Sequence, residues 1–63
     1  EDIASLYKLN KSKLSKEEAQ IIELHYGIND GVEKSLFEIS KVTGQLHEGI
    51  CQIEVEAIEK LKS

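Results

Sequence analysis

The sequence predicts an all-α fold, a small four-helix domain that contains a helix-turn-helix. The chain has 63 residues with no Pro and four Gly, and its 40% apolar and 32% charged residues suit a folded helical chain. Apolar residues also recur at helical spacing in four segments. A chain of this length forms at most one domain, here residues 1–63, and buries roughly 60% of its unfolded surface. That is too little for a deep catalytic cleft, so we expect no enzyme activity.

The first predicted helix covers residues 2–10. A loop over residues 11–14 separates it from the next segment. The residues at helical spacing, which we expect to face the core, are Ile3, Leu6, Tyr7 and Asn10.

The second predicted helix begins at about Lys16, because Ser15 and Glu18 have the spacing of a capping box. In that motif the Ser side chain accepts from the Glu amide, and the Glu carboxylate accepts from the Ser amide. Gly27 suits the left-handed residue that follows a helix, and residues 28–34 contain too many turn formers to continue it. The apolar residues of this helix are Ala19, Ile21, Ile22 and Leu24.

The third helix has the same capping spacing at Ser35 and Glu38, and Gly44 closes it. The fourth is the longest and runs to Lys62. A short helix, a Gly turn and a longer amphipathic helix are typical of a helix-turn-helix, but any small helical bundle needs the same parts. The stripe that should face the core is Ile50, Ile53, Ala57 and Leu61.

Charge argues against a general nucleic-acid binder. All eight basic residues are Lys, and twelve acidic residues leave a net charge of −4, whereas nonspecific DNA affinity comes mainly from clustered cations.

The single Cys51 cannot form an internal disulfide, which favours a reducing compartment. Because the sequence lacks an initiator Met, a signal peptide and a membrane-spanning run, we expect a C-terminal fragment of a longer cytoplasmic protein with no membrane partner.

Three stretches closely resemble region 4 of bacterial sigma-70 family factors: "LSKEEAQIIELHYGINDG", "SLFEIS" and "GICQIEVEAIEKLKS". The family pattern is an L-(S/T)-x-R-E helix ending in R-Y-G-L, a T-L-x-E-I-G helix, and S-R-E-R-V-R-Q-I-E before A-L-x-K-L-R. The match spans about Leu14 to Lys62. The resemblance implies a domain that docks on the β-subunit flap of RNA polymerase and contacts the promoter −35 element in transcription initiation. It also implies no cofactor, and it allows an anti-sigma or activator protein as a further partner.

The resemblance assigns site residues, and three family arginines are absent from the reading helix, at His47, Gly49 and Cys51. The family's reading Glu and Gln remain as Glu48 and Gln52. The expected base-facing residues are His47, Glu48, Cys51 and Gln52. The expected contacts to the DNA backbone are His25, Ser35, Leu36 and Lys41. The expected polymerase-flap contacts are Ile3, Leu6, Tyr7 and Ile22.

These substitutions leave three hypotheses open. The chain is a promoter-recognition domain with weak or altered readout, a sigma-like interaction domain that binds polymerase or a regulator with little direct DNA reading, or an unrelated helical bundle. Leu46 replaces the family's capping Ser, and Gly49 costs ~1 kcal/mol relative to Ala, so we expect the reading helix to fray at its start. His47 and Cys51 share a helix face, but nothing nearby completes a metal site, so no metal is expected.

Overall fold

A computed structural model describes residues 2–63 of the chain. The four helices are α1 (Ile3–Asn10), α2 (Lys16–His25), α3 (Leu36–Thr43) and α4 (His47–Lys62). A 3-10 turn at Lys11–Lys13 occupies the predicted first loop. Over residues 2–63 the structure contains no strand, and the predicted all-α, four-helix fold is confirmed.

Local hydrogen bonds set the helix starts. Asp2 lies outside α1 and caps it, because its carboxylate accepts from the amide of Ala4 at 3.2 Å. The capping box of α2 is present, with the Glu18 amide 3.2 Å from Ser15 Oγ and the Ser15 amide 2.9 Å from Glu18 Oε1. The same reciprocal bonds join Ser35 and Glu38 at the start of α3. Both boxes are bonds within one turn, which explains why sequence spacing predicts them.

Two glycines with positive φ follow helices, where other residues would be strained. Gly44 follows α3 with a φ of +75°, and its amide donates to the Ser40 carbonyl at 2.9 Å. Gly27 has a φ of +61°, and a Cβ there would lie 2.8 Å from the backbone carbon of Val32. The chain therefore folds back after α2 at a position that requires glycine.

The core consists of two clusters that share α4. Cluster one joins α1, α2 and α4 and consists of Tyr7, Ile22, Ala57 and Leu61. Cluster two joins α2, α3 and α4 and consists of Ile21, Ile39 and Ile50. Neighbouring residues of α2, Ile21 and Ile22, enter different clusters, so α2 lies between the two ends of the core. The long helix α4 holds both ends together.

The start of α4 differs from the other helix starts. Leu46 occupies the capping position, makes no side-chain bond to the helix and is 82% exposed. The first turn closes through the backbone alone, with the Ile50 amide 3.1 Å from the Leu46 carbonyl. The absence of a side-chain cap, expected from the sequence, is confirmed.

None of the helices in residues 2–63 combines the length and apolar character needed to cross a lipid bilayer.

Candidate nucleic-acid interface

Residues 44–46 form the turn between α3 and α4, and hydrogen bonds at Gln45 connect it to α3 and to α2. The Ser40 hydroxyl donates to the Gln45 carbonyl at 2.5 Å, and the Thr43 hydroxyl donates to the Ile39 carbonyl at 2.8 Å. The Gln45 side-chain amide donates to the Glu17 carboxylate of α2 at 2.6 Å. Under the turn, Ile39 and Ile50 are fully buried against each other's helices. The angle between α3 and α4 is therefore set by packing and by polar bonds together.

The outward face of α4 carries the predicted base-facing residues. His47, Glu48, Cys51 and Gln52 are all exposed, and Val55 in the next turn is 52% exposed. On the opposite side, Ile50, Ala57 and Leu61 are almost completely buried. The structure thus places all four predicted residues on one accessible face, and their contact with DNA stays a prediction.

Three of the four predicted backbone-contact residues belong to α3: Ser35 caps it, Leu36 begins it and Lys41 lies in its last turn. Ser35 and Lys41 are exposed, whereas Leu36 is half-buried against cluster two. The Lys41 ammonium lies 4.9 Å from the centre of the Phe37 ring, where the ring face attracts a cation. Lys41 is the only Lys or Arg between Ser35 and Glu59. Any Lys contact with a phosphate from the segment between Ser35 and Glu59 therefore depends on this side chain.

His25, the fourth predicted backbone contact, is directed into the domain. Its Nδ1 contacts Oε2 of Glu54 on α4, and the two side chains are 28% and 11% exposed. Neither atom has another hydrogen-bond partner within residues 2–63. His25 therefore links the end of α2 to the middle of α4, and a phosphate contact would have to use Nε2.

Sequence reasoning missed the role of Glu54. Burial raises the pKa of Tyr26 above its ordinary 10.0, and the nearby negative charge of Glu54 adds to this effect. The sequence spacing indicated that Glu54 faces the core, because Glu54 lies four residues after Ile50 and three before Ala57. A carboxylate on the buried side of a helix needs a partner, and the sequence alone does not say which residue supplies it.

The outward face of α4 is acidic. Glu48, Glu56 and Glu59 are exposed on α4, and the next cation along the helix, Lys60, lies 2.9 Å from both carboxylate oxygens of Glu18. Hydrogen bonds from the Ser15 amide and from Lys60 lower the pKa of Glu18. Burial raises this pKa, but the net shift is downward. The outer face of α4 therefore provides hydrogen-bonding groups for bases and little attraction for phosphates.

A groove of about 510 Å³ lies between α1 and α4. Among the four predicted flap contacts, Ile3 lines this groove and Leu6 is half-buried against cluster one. Sequence reasoning missed three lining residues, Tyr26, Ile58 and Lys62, although Ile58 lies beside the apolar stripe of α4. The groove is lined by Ile3, Tyr26, Ile58 and Lys62.

The other two predicted flap contacts, Tyr7 and Ile22, are core residues with 5% and 0% exposure. The Tyr7 hydroxyl donates to the Glu23 carboxylate, and burial, followed by this bond, raises the pKa of Tyr7 to about 12. Both side chains lie in the core, and their contact with the flap stays a prediction. They support the groove from beneath.

Within residues 2–63, no three His, Cys, Asp or Glu side chains come together as a metal site would require. Cys51 is exposed and unbridged.

A short capped helix, a rigid turn and a longer helix with an accessible polar face define a helix-turn-helix domain. The family model for sigma-70, region 4 matches residues 12–63. The chain therefore belongs to the sigma-70 region 4 family, and the resemblance noted in the sequence is confirmed.

Curated relatives agree with the family assignment. The chain is 44% identical, over 79% of its length, to the RNA polymerase principal sigma factor HrdD of Streptomyces viridifaciens and to that of Streptomyces coelicolor. It is 35% identical, over 94% of its length, to the RNA polymerase sigma factor SigA of a Bacillus species. The chain spans 15% of the length of each HrdD protein and 18% of SigA.

Proposed function

We propose that this chain is the −35 recognition domain of a bacterial RNA polymerase sigma factor and acts in transcription initiation in the cytoplasm. In this proposal residues 1–63 form one domain, the C-terminal part of a longer sigma factor. The observation that carries the proposal is the accessible face of α4, where Glu48 and Gln52 lie together on a helix-turn-helix of this family. The relatives are named as sigma factors, which supports the same role.

The proposed DNA contacts divide into base reading and backbone anchoring. The Glu48 carboxylate can accept from the cytosine amino group, and the Gln52 amide can pair with adenine in the major groove. The helix amides beside Leu36 at the start of α3 can hold a phosphate, and so can the Lys41 ammonium in its last turn. The two sets lie on either side of the rigid turn at residues 44–46, as a helix-turn-helix requires.

Affinity for DNA in isolation should be weak. The base-facing set contains no Arg, and a bidentate Arg–guanine pair is worth ~1–3 kcal/mol of discrimination. A domain tethered to polymerase that already contacts the promoter works at an effective concentration that reaches the ~mM range. Weak intrinsic binding is then sufficient for a promoter role.

The polymerase contact is proposed for the groove between α1 and α4. Ile3, Tyr26 and Ile58 give it an apolar wall beside cluster one, and Lys62 gives it a charged rim. Such a groove suits the apolar face of a helix, and the proposed occupant is the β flap of RNA polymerase.

DNA reading is tested by fluorescence titration of this chain with −35 duplexes at low and physiological salt. We expect sequence-dependent binding that weakens with salt. Gln52→Ala should relax base preference, Lys41→Ala should weaken all sequences about equally, and Lys8→Ala on α1 is the matched control with no expected effect. Failure to bind any duplex at low salt would exclude direct DNA reading by this domain.

Flap docking is tested by binding of the chain to an isolated β flap. Ile3→Glu should abolish binding, because it replaces an apolar lining residue of the groove with a carboxylate. Leu9→Glu is the control, since Leu9 lies on the same helix, is 78% exposed and does not line the groove. Equal loss of binding in both variants would remove the groove from the proposal.

A second candidate function is a sigma-like interaction domain that binds polymerase or a regulator, such as an anti-sigma or activator protein, with little direct DNA reading. The acidic outer face of α4, with Glu48, Glu56 and Glu59 exposed, favours it. Flap binding without any DNA binding at low salt would select this function over the first.

A further inference from the structure

Two apolar side chains lie among the polar ones on the reading face of α4. Cys51 and Val55 are one helical turn apart, and both are exposed. At 100° per residue, Val55 projects within about 20° of Glu48, and Cys51 lies about 40° from Val55. From Cys51 to Gln52 the four residues cover an arc of about 100°, which is the width of one helix face.

The chemistry of these two side chains restricts what they can recognise in DNA. A Val side chain has no polar atom, and a neutral Cys behaves as a small apolar group with a weak S–H donor. In the major groove, base edges present hydrogen-bond donors and acceptors, together with a single apolar feature, the C5 methyl group of thymine. Glu48 and Gln52 suit the polar edges, and Cys51 and Val55 suit the methyl group.

We propose that Cys51 and Val55 read thymine methyl groups, so that the reading helix selects A·T pairs beside the bases that Glu48 and Gln52 contact. This inference rests on the proposed DNA-reading function. Four residues of helix advance by about 6 Å, so the two methyl contacts should lie no more than about two base-pair steps apart. The readout at Cys51 thus changes from a charged fork for guanine to an apolar contact for thymine.

The acidity of the face makes this readout useful. Glu48, Glu56 and Glu59 repel phosphates, so binding must gain free energy from the floor of the groove. Covering a thymine methyl with an apolar side chain removes both groups from water without any charge, which adds discrimination that salt does not screen. Thymine selection should therefore persist at salt concentrations that weaken the Lys41 contribution.

The test uses deoxyuridine, which pairs like thymidine and lacks the methyl group. A duplex is first selected from a randomised pool by binding to this chain, and each thymine is then replaced singly. We expect about fourfold weaker binding at one thymine for each of the two residues, the effect of one methyl-sized group, and no change elsewhere.

Protein variants assign each methyl group to a side chain. Val55→Ala and Cys51→Ser should each weaken the parent duplex and each remove the deoxyuridine effect at a single thymine, as a double-mutant cycle measures directly. Val32→Ala is the matched control, because Val32 is 56% exposed but lies between α2 and α3. Circular dichroism verifies that all variants remain folded.

The outcomes separate this inference from the function on which it rests. Sequence-dependent binding with no deoxyuridine effect at any thymine would overturn thymine reading and leave the recognition function standing. If only one of Cys51 and Val55 is coupled to a deoxyuridine substitution, the other residue does not read a thymine methyl group. Absence of binding to every duplex in the pool would instead contradict the recognition function itself.

Discussion

The starts of α2 and α4 are built differently. At α2, Ser15 and Glu18 cap each other, and Glu18 also binds Lys60 at 2.9 Å, so one carboxylate serves the cap and a tertiary ion pair. At α4, Leu46 is exposed and provides no cap. The start of α2 is therefore fixed by side-chain bonds, whereas the start of α4 is held by a backbone bond and by the burial of Ile50. The start of α4 can therefore adjust to a partner at lower cost than the start of α2.

The largest expected effect comes from Ile50, the first buried residue of α4. Ile50→Ala should lower the free energy of unfolding by about 3 kcal/mol, because it leaves a cavity in cluster two where α2, α3 and α4 meet. Chemical denaturation measures this loss in the free energy of unfolding. Val55→Ala, on the exposed side, should stay within about 0.5 kcal/mol. Similar losses in the two variants would contradict the dependence of α4 on burial.

The next effect comes from the link between His25 and Glu54. His25→Ala should lower the free energy of unfolding by about 2 kcal/mol, because it leaves the buried Glu54 carboxylate without its partner. The double variant His25→Ala, Glu54→Leu should recover most of the loss, since no buried charge remains. Absence of recovery would show that His25 stabilises the domain by packing alone.

The caps give smaller effects of opposite sign. Ser15→Ala and Ser35→Ala should each cost about 1 kcal/mol, whereas Leu46→Ser should add about 0.5–1 kcal/mol by giving α4 the cap it lacks. Thermal unfolding compares the three variants in one buffer. A loss of stability in Leu46→Ser would mean that the exposed Leu46 makes a contribution that capping cannot replace.

The smallest expected effect is a pH dependence at the start of α2. The Ser15 amide and Lys60 hold the folded pKa of Glu18 below its ordinary 4.5. The ionised form is therefore favoured on folding, so this stabilisation is complete above pH 4.5 and is lost as the pH falls through the folded value. Glu18→Gln should flatten the stability profile in that acidic range. An unchanged profile would assign the acid dependence to other carboxylates.

Much of the candidate site was predictable because it depends on periodicity. Helical spacing places His47, Glu48, Cys51 and Gln52 on one face, opposite the stripe that packs, and the structure confirms their exposure. The orientation of His25 was not predictable in the same way. The motif assigned it to the DNA backbone, whereas contact with a carboxylate on a distant helix turns its Nδ1 inward.

The sequence by itself determined the helices and most of their boundaries, because caps, glycine turns and apolar stripes act within a few residues. The two Ser–Glu boxes and Gly44 are of this kind. Only the tertiary structure decided which apolar residues remain accessible: Tyr7 and Ile22 are enclosed, while Ile58 and Tyr26 line a groove. Burial depends on how helices distant in the chain pack together, and helical spacing identifies an apolar face without identifying what covers it.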